Sequence, residues 1–315
     1  MLEPAIAVEH LVKDYARRRQ PPVRALDGVS FTVARGAIFG LLGPNGAGKT
    51  SLLKVLTTLL PPTAGSARVA GHDCLAAPLD VRRAITVVLQ EPAAELFLSV
   101  RDNLLSFARF RGLAGPEARR RAAAAMEQFQ ITERADDKVQ DLSGGTRRRV
   151  QVAKVFMAPT PIVFLDEFST GMDPILKRAV IEALRQEAER GRTIVLTTHI
   201  LSEAEELCDD ILILRQGREV ARGGLDALRR LCAGFYHVTV TFEQLPAALP
   251  AALDALAPLR SRIEGATVEL ALRAEQADIL AAVNRLAAGG RVLNLEVHGP
   301  SLEDVFLQLT AGGAQ

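Results

Sequence analysis

Ala37-Ile38-Phe39-Gly40-Leu41-Leu42-Gly43-Pro44-Asn45-Gly46-Ala47-Gly48-Lys49-Thr50 is the stretch that decides the fold of this chain. Its first six residues are an apolar run too short for a helix and bounded by glycine, which predicts a buried strand. The next eight match the pattern G-x-x-x-x-G-K-[ST], and residues 50–60 continue with apolar side chains at helical spacing. A strand, a glycine loop and a helix in that order form a phosphate cradle. The glycines let backbone N–H groups converge on phosphate oxygens, and the helix N-terminus adds the positive end of its dipole. Lys49 is expected to neutralise β and γ phosphates, and the Thr50 hydroxyl to hold Mg²⁺.

Outward from this stretch, residues 6–33 contain two alternating apolar/polar segments, predicted as an antiparallel ribbon whose strands are separated by a loop at Pro21-Pro22. Short apolar runs at 85–89, 162–165, 194–198 and 211–214, most of them separated by candidate helices, predict a largely parallel α/β sheet. Residues 99–141 are rich in Ala, Arg, Glu and Leu with no strand candidate, and read as a helical insertion. After a helix-like segment at 225–232 a fresh series begins. Strands at 235–242, 267–272 and 291–297 are interleaved with an Ala/Leu helix and a helix over about 274–288, and a last helix starts at Ser301. A domain boundary is expected near residue 234, giving domains 1–234 and 235–315, with no internal repeat.

Hydrophobic residues make up 48% of the 315 residues and charged residues 24%, with a net charge of +1. This is an ordinary globular composition, without a global field to hold nucleic acid or an anionic membrane. The clusters Arg17-Arg18-Arg19, Arg119-Arg120-Arg121 and Arg147-Arg148-Arg149 read as solvated faces. No apolar run approaches the ~18–20 residues that span a bilayer, and Met1-Leu2-Glu3-Pro4 has no signal-peptide pattern, so a cytosolic chain is expected. Cys74, Cys208 and Cys232 form no CxxC pair and are expected to be reduced and structural.

Two further motifs carry chemistry. Ile162-Val163-Phe164-Leu165-Asp166-Glu167 is a strand ending in two carboxylates, where a phosphate-loop protein places a metal-supporting Asp and a group that orients or deprotonates water. Asp166 takes the first role and Glu167 the second. Leu142-Ser143-Gly144-Gly145-Thr146 precedes an Arg-rich helix and forms a second anion site at a helix start. One chain hardly needs both for one nucleotide.

With these motifs in this order, residues 5 to 230 resemble an ATPase of the ATP-binding cassette type, whose signature is Leu-Ser-Gly-Gly, most often followed by Gln. The resemblance implies an α/β fold: a P-loop NTPase (RecA-like) core with an antiparallel β subdomain and an α-helical subdomain over about 92–158, followed here by a small C-terminal α+β domain. It implies ATP and Mg²⁺, with the nucleotide-binding loop running through Gly43, Pro44, Asn45, Gly46, Ala47, Gly48, Lys49, Thr50 and Ser51. Tyr15 matches the aromatic that stacks on adenine, a contact worth about 1–3 kcal/mol per base in comparable sites. Gln90 matches the loop glutamine that joins metal and water to the helical subdomain, and His199 the histidine that contacts the γ-phosphate. Ser143, Gly144 and Gly145 match the signature groups that reach ATP on the opposite subunit. Gly171-Met172-Asp173 matches the loop that touches the partner.

The resemblance further implies a head-to-tail dimer with a second copy of the chain and a separate transmembrane permease subunit, working at the cytoplasmic face of the membrane, with no nucleic-acid partner expected. The catalytic motifs do not report transport direction, so an importer stays open at this point. Ser301-Leu302-Glu303-Asp304-Val305-Phe306-Leu307-Gln308-Leu309-Thr310 is similar to the tail of ATPase subunits from exporters of the daunorubicin kind, and this tail alone favours export. A soluble cassette ATPase acting on nucleic acid or ribosomes fits less well, because there is one phosphate loop and no room for a long coiled coil before the signature. Three positions depart from the commonest pattern: Thr146 stands for the signature Gln, Phe168 for a Pro, and Met172 for a Leu. None removes a phosphate, metal or water contact.

Overall fold

Alternation of buried and exposed residues builds the first sheet, in which β1 (Ile6–Arg17) pairs antiparallel with β2 (Gln20–Val33). The structure, a computed structural model, describes residues 3–88, 95–232, 234–273, 276–287 and 290–311. The turn between β1 and β2 falls at Arg18-Arg19, with Arg19 at φ 62°, and Pro21-Pro22 lies inside β2 instead of forming the loop expected there. The reason is topological. In the sheet order β2-β1-β4-β5, strand β2 is an edge, where a residue without an N–H is tolerated.

Next come β3 (Ile38–Leu42) and α1 (Lys49–Leu56), the latter shorter than the expected 50–60. Then β4 (Ala64–Val69), β5 (His72–Asp73), α2 (Pro78–Ala84) and β6 (Ile85–Val88) follow. Three helices, α3 (Val100–Phe110), α4 (Gly115–Gln128) and α5 (Gly144–Met157), form the helical insertion. The chain then alternates through β7 (Ile162–Asp166), α6 (Pro174–Glu189), β8 (Thr193–Thr197), α7 (Leu201–Leu207), β9 (Asp210–Arg215) and β10 (Arg218–Gly223).

The six-stranded sheet runs β10-β9-β3-β8-β7-β6, and the pairings of β9, β3, β8, β7 and β6 are parallel. Its strands are apolar on both faces because each face meets a different core. Ile38, Val163, Leu165, Ile194 and Leu196 join the helices α3 to α6, whereas Phe39, Leu41, Ile162, Phe164 and Val195 join α1 and the antiparallel sheet. Side chains that alternate by two residues therefore feed two cores from one strand. Since β3, β8 and β7 are parallel neighbours, the loops leaving their carboxyl ends converge, which is where ligands bind in open α/β sheets.

A second unit, Gly223–Gln315, is separate in its contacts from the first, Met1–Arg222. Its start is earlier than residue 234, because α8 (Leu225–Arg230) packs on α11 (Leu302–Ala311). Between them lie β11 (Phe235–Phe242), α9 (Leu249–Leu256), β12 (Arg260–Glu264), β13 (Thr267–Arg273), α10 (Gln276–Ala287) and β14 (Val292–His298). The antiparallel order β12-β13-β11-β14 and the β-α-β-β-α-β sequence give a ferredoxin-like topology. Val238, Val240, Leu270 and Leu272 pack with Ile279 and Val283 of α10 in its core. On β11, His237 Nε2 lies 2.6 Å from Asp304 Oδ2 of α11, and that oxygen also accepts from Ser301 N–H and O–H at 2.8 and 2.6 Å. Cys74, Cys208 and Cys232 are free thiols.

Candidate nucleotide site

The glycine loop turns sharply between β3 and α1 because two of its residues cannot carry a side chain. Gly43 has φ 155° and an added Cβ would lie 2.4 Å from the Leu214 carbonyl; Gly48 has φ 108° and its Cβ would lie 2.5 Å from the Ala25 carbonyl. The loop rims a cleft of about 710 Å³ lined by Tyr15, Val23, Ala25, residues 45–51, Asp166, Glu167 and His199. Lys49, buried, donates from Nζ to the carbonyls of Gly43 at 2.6 Å and Pro44 at 3.1 Å. Burial pulls its ammonium below the ordinary lysine value, and the nearby Glu167 and Asp166 carboxylates partly restore it. Tyr15 is half-exposed, with its hydroxyl 3.1 Å from Ser51 Oγ and the Lys13 ammonium 5.5 Å from its ring centroid.

At the end of β7, Asp166 accepts a hydrogen bond at Oδ1 from the Thr197 hydroxyl of β8. The following Glu167 sits at φ 47°, a left-handed conformation uncommon outside glycine. Its N–H donates to the Thr197 carbonyl at 3.1 Å and lies 3.2 Å from Thr197 Oγ1. Its Oε1 is 3.4 Å from His199 Nδ1. Phosphate loop, carboxylate pair and histidine thus face one cavity from three adjacent strand ends.

The signature residues lie elsewhere in the same unit. Ser143 caps α5, accepting from Thr146 N–H at 3.2 Å, and its hydroxyl is 2.9 Å from Thr146 Oγ1, so the residue in the place of the usual Gln closes the cap. Arg149 bonds Asp173 at 2.8 Å, and Asp173 caps α6 by accepting from Leu176 N–H at 2.9 Å. The Leu176 amide first and Arg149 second hold the Asp173 carboxyl below its ordinary value. Ser143, Gly144, Gly145 and Asp173 form a second locus that does not line the cleft. Gln90 lies outside the described residues.

Sequence reasoning missed the arginines beside the signature. Arg147-Arg148-Arg149 is not a solvated face. Arg147 Nη2 donates to the Gln140 carbonyl, and Arg149 pairs with Asp173. Arg148 is 7% exposed and reaches the backbone after β7. A helical wheel of α5 could have signalled this, since Arg148 shares a face with the apolar Val152 and Val155. Phe168, in place of the usual Pro, is wholly buried in the core beneath the helices.

A parallel sheet whose strand ends gather a phosphate loop, a carboxylate pair and a histidine defines a nucleoside-triphosphate site. Residues 26–170 match the ABC transporter family. Over 97% of this chain and 95% of its own length, the daunorubicin resistance ATP-binding protein DrrA2 of Streptomyces coeruleorubidus is 36% identical. The Nod factor export ATP-binding protein I of Ralstonia nicotianae is 36% identical over 98% of this chain and 94% of its own. A solved ATP-binding subunit of an ABC transporter superposes with a TM-score of 0.67 at 30% identity, covering 72% of this chain and 93% of that one. The chain belongs to the ABC transporter family, as one of its ATP-hydrolysing cassettes.

Proposed function

We propose that this chain is the motor subunit of an exporter: two copies close head to tail around two Mg-ATP and drive a separate membrane-spanning permease from the cytoplasmic face. The observation that carries this reading is that Ser143, Gly144 and Gly145, at the start of α5, do not line the cleft of their own chain. A helix start suited to an anion that does not line its own cleft finds its use in the cleft of a second copy. Contacts that exist only in the closed pair let ATP shift the balance between open and closed forms. The export names of relatives that match nearly the whole chain support the direction.

The cleft fits the substrate. Lys49 and the loop amides face the phosphates, and Tyr15 presents an accessible ring to the base. Thr50 and Asp166 are hard oxygen donors on the same cavity, suited to Mg²⁺. Among the described residues no cluster of three or more His, Cys, Asp or Glu could cage a metal alone, so phosphate oxygens and water would complete the shell. Bound Mg²⁺ would neutralise charge on the β and γ oxygens. Glu167 orients the attacking water and takes its proton as the new oxygen–phosphorus bond forms and the β–γ bridge breaks. His199, beside Glu167, would contact the γ-phosphate, and the family resemblance gives Gln90 the part of joining metal and water to the helical insertion when both are bound.

Among the described residues no helix is long and apolar enough to cross a membrane. A groove suits the permease: Leu59, Leu79, Phe107 and the 90%-exposed Phe110 lie beside Arg82 and Arg111, which fits an amphipathic segment with acidic flanks. The test is capture of full-length Glu167→Gln from gently solubilised membranes with Mg-ATP. Stoichiometric recovery of a polytopic membrane protein is expected. Recovery from cytosol alone, with ribosomes or nucleic acid attached, would overturn the transport reading.

A further inference from the structure

A left-handed residue at a reacting position needs restraint from both sides, since outside glycine this conformation costs about 1–3 kcal/mol and persists only where the surroundings over-determine it. Glu167, at φ 47°, has its N–H held by Thr197 of β8. Its carbonyl is held by a side chain of α5. Arg148 Nη2 donates to the Glu167 carbonyl at 2.8 Å, and Nε donates to the Phe168 carbonyl at 3.0 Å. Nη2 also lies 3.5 Å from the Asp166 carbonyl, and Nη1 donates to Gln151 Oε1 at 2.8 Å, which fixes the guanidinium plane on its own helix. Only a planar fork with several N–H donors can grip successive carbonyls in this way; an ammonium is a point charge without that geometry.

We propose that Arg148 is a positioning residue for hydrolysis: it sets the direction of the Glu167 carboxylate through the backbone and makes that direction depend on the placement of the signature helix. The proposal rests on the reading of Glu167 as the group that activates water. Arg148 lies on α5 five residues beyond Ser143, which caps it, so the element that would meet the second copy's nucleotide also holds the chain's own catalytic peptide. Arg148 does not line the cleft, which separates its role from nucleotide binding.

The experiment compares the full-length chain with Arg148→Met, Arg148→Lys and Glu167→Gln, measuring steady-state and single-turnover cleavage of Mg-ATP, KM, binding of a fluorescent ATP analogue and thermal unfolding. Misplacement of a catalytic group by about an ångström costs on the order of 10²-fold. Arg148→Met is therefore expected to lower kcat and the single-turnover rate about 10²-fold, with KM and analogue affinity within about twofold of wild type. Arg148→Lys should fall between the two. A folded Arg148→Met that cleaves within twofold of wild type while Glu167→Gln is inactive would overturn the proposal and leave the Glu167 reading standing. Losses confined to the unfolding temperature or to KM would overturn it as well. If the Met variant is not recovered folded, the Lys variant decides: wild-type turnover there overturns the proposal. Undiminished cleavage by Glu167→Gln would instead remove the reading on which it rests.

Discussion

Lys177 Nζ of α6 lies 2.7 Å from Oε1 of Glu203 on α7, and the Glu203 side chain is completely buried. The contact is one of charge, since the approach to Oε1 is off hydrogen-bond geometry. The other carboxylate oxygen accepts from the Thr198 hydroxyl at 2.8 Å, which itself accepts from Ile200 N–H at 3.0 Å. The helix that starts at Asp173 is thereby tied to the backbone on either side of His199. Removing one partner strands a buried charge, so Lys177→Met should cost about 1–3 kcal/mol in urea unfolding. In a double-mutant cycle with Glu203→Gln the two losses should fall short of additive; strict additivity would mean that the contact contributes nothing.

Glu167→Gln removes the proposed proton acceptor while preserving shape. Turnover should fall about 10²–10⁴-fold, the range for loss of a general base, with nucleotide affinity retained. Phosphate release under Mg-ATP reads the first, and equilibrium binding the second.

Burial lowers the Lys49 pKa, which fixes the sign of a pH effect. The unfolded chain binds more protons than the folded one between the lowered value and the ordinary lysine value of about 10.4, so folding gains stability as pH rises through that window. Without nucleotide, wild type should therefore gain on Lys49→Met as the solution is made alkaline. A flat difference in denaturant midpoints across that window would contradict this. Mg-ATP should raise the midpoint of wild type and leave that of Lys49→Met unmoved.

In the C-terminal unit, burial alone would raise the Asp304 carboxyl, but hydrogen bonds from Ser301 and His237 outweigh it and hold the group below its ordinary value. Such a carboxylate contributes stability that is present above the usual carboxylate range and lost as pH falls through the lowered value. Asp304→Asn should flatten the acid side of the stability profile. Hydrogen exchange of the β11 amides across acid pH measures it, and an unchanged profile would show that the pair is energetically idle.

Much of the cleft was legible in the sequence because its residues follow short apolar strands at fixed spacing: Lys49 after β3, Asp166 and Glu167 at the end of β7, His199 after β8. Parallel pairing then brings them together without any further information. What escaped depends on partners distant in the chain. Arg148 reads as one of three surface arginines until Phe168 and Glu167 offer it carbonyls, and the burial of Glu203 depends on Lys177 and Thr198 reaching it. The strand β4, Ala-Gly-Ser-Ala-Arg-Val, carries too few apolar residues to show a period of two and exists because β1 offers it an edge. Pro21-Pro22 misled for the converse reason: a strand edge accepts the residue pair that usually marks a turn.

If two copies close head to tail as proposed, the absence of Ser143 from the lining of its own chain's cleft makes the genetics of this protein asymmetric. In such a pair a copy carrying Lys49→Met would spoil only the cleft it owns and still lend an intact signature to its neighbour, whereas Ser143→Arg would do the reverse. Each variant alone would be dead at both composite sites, but a mixture assembles pairs in which one site draws both halves from sound surfaces. Recovery of activity on mixing two inactive preparations would then be intermolecular complementation. A copy bearing both lesions would be dominant, poisoning each wild-type chain it captures.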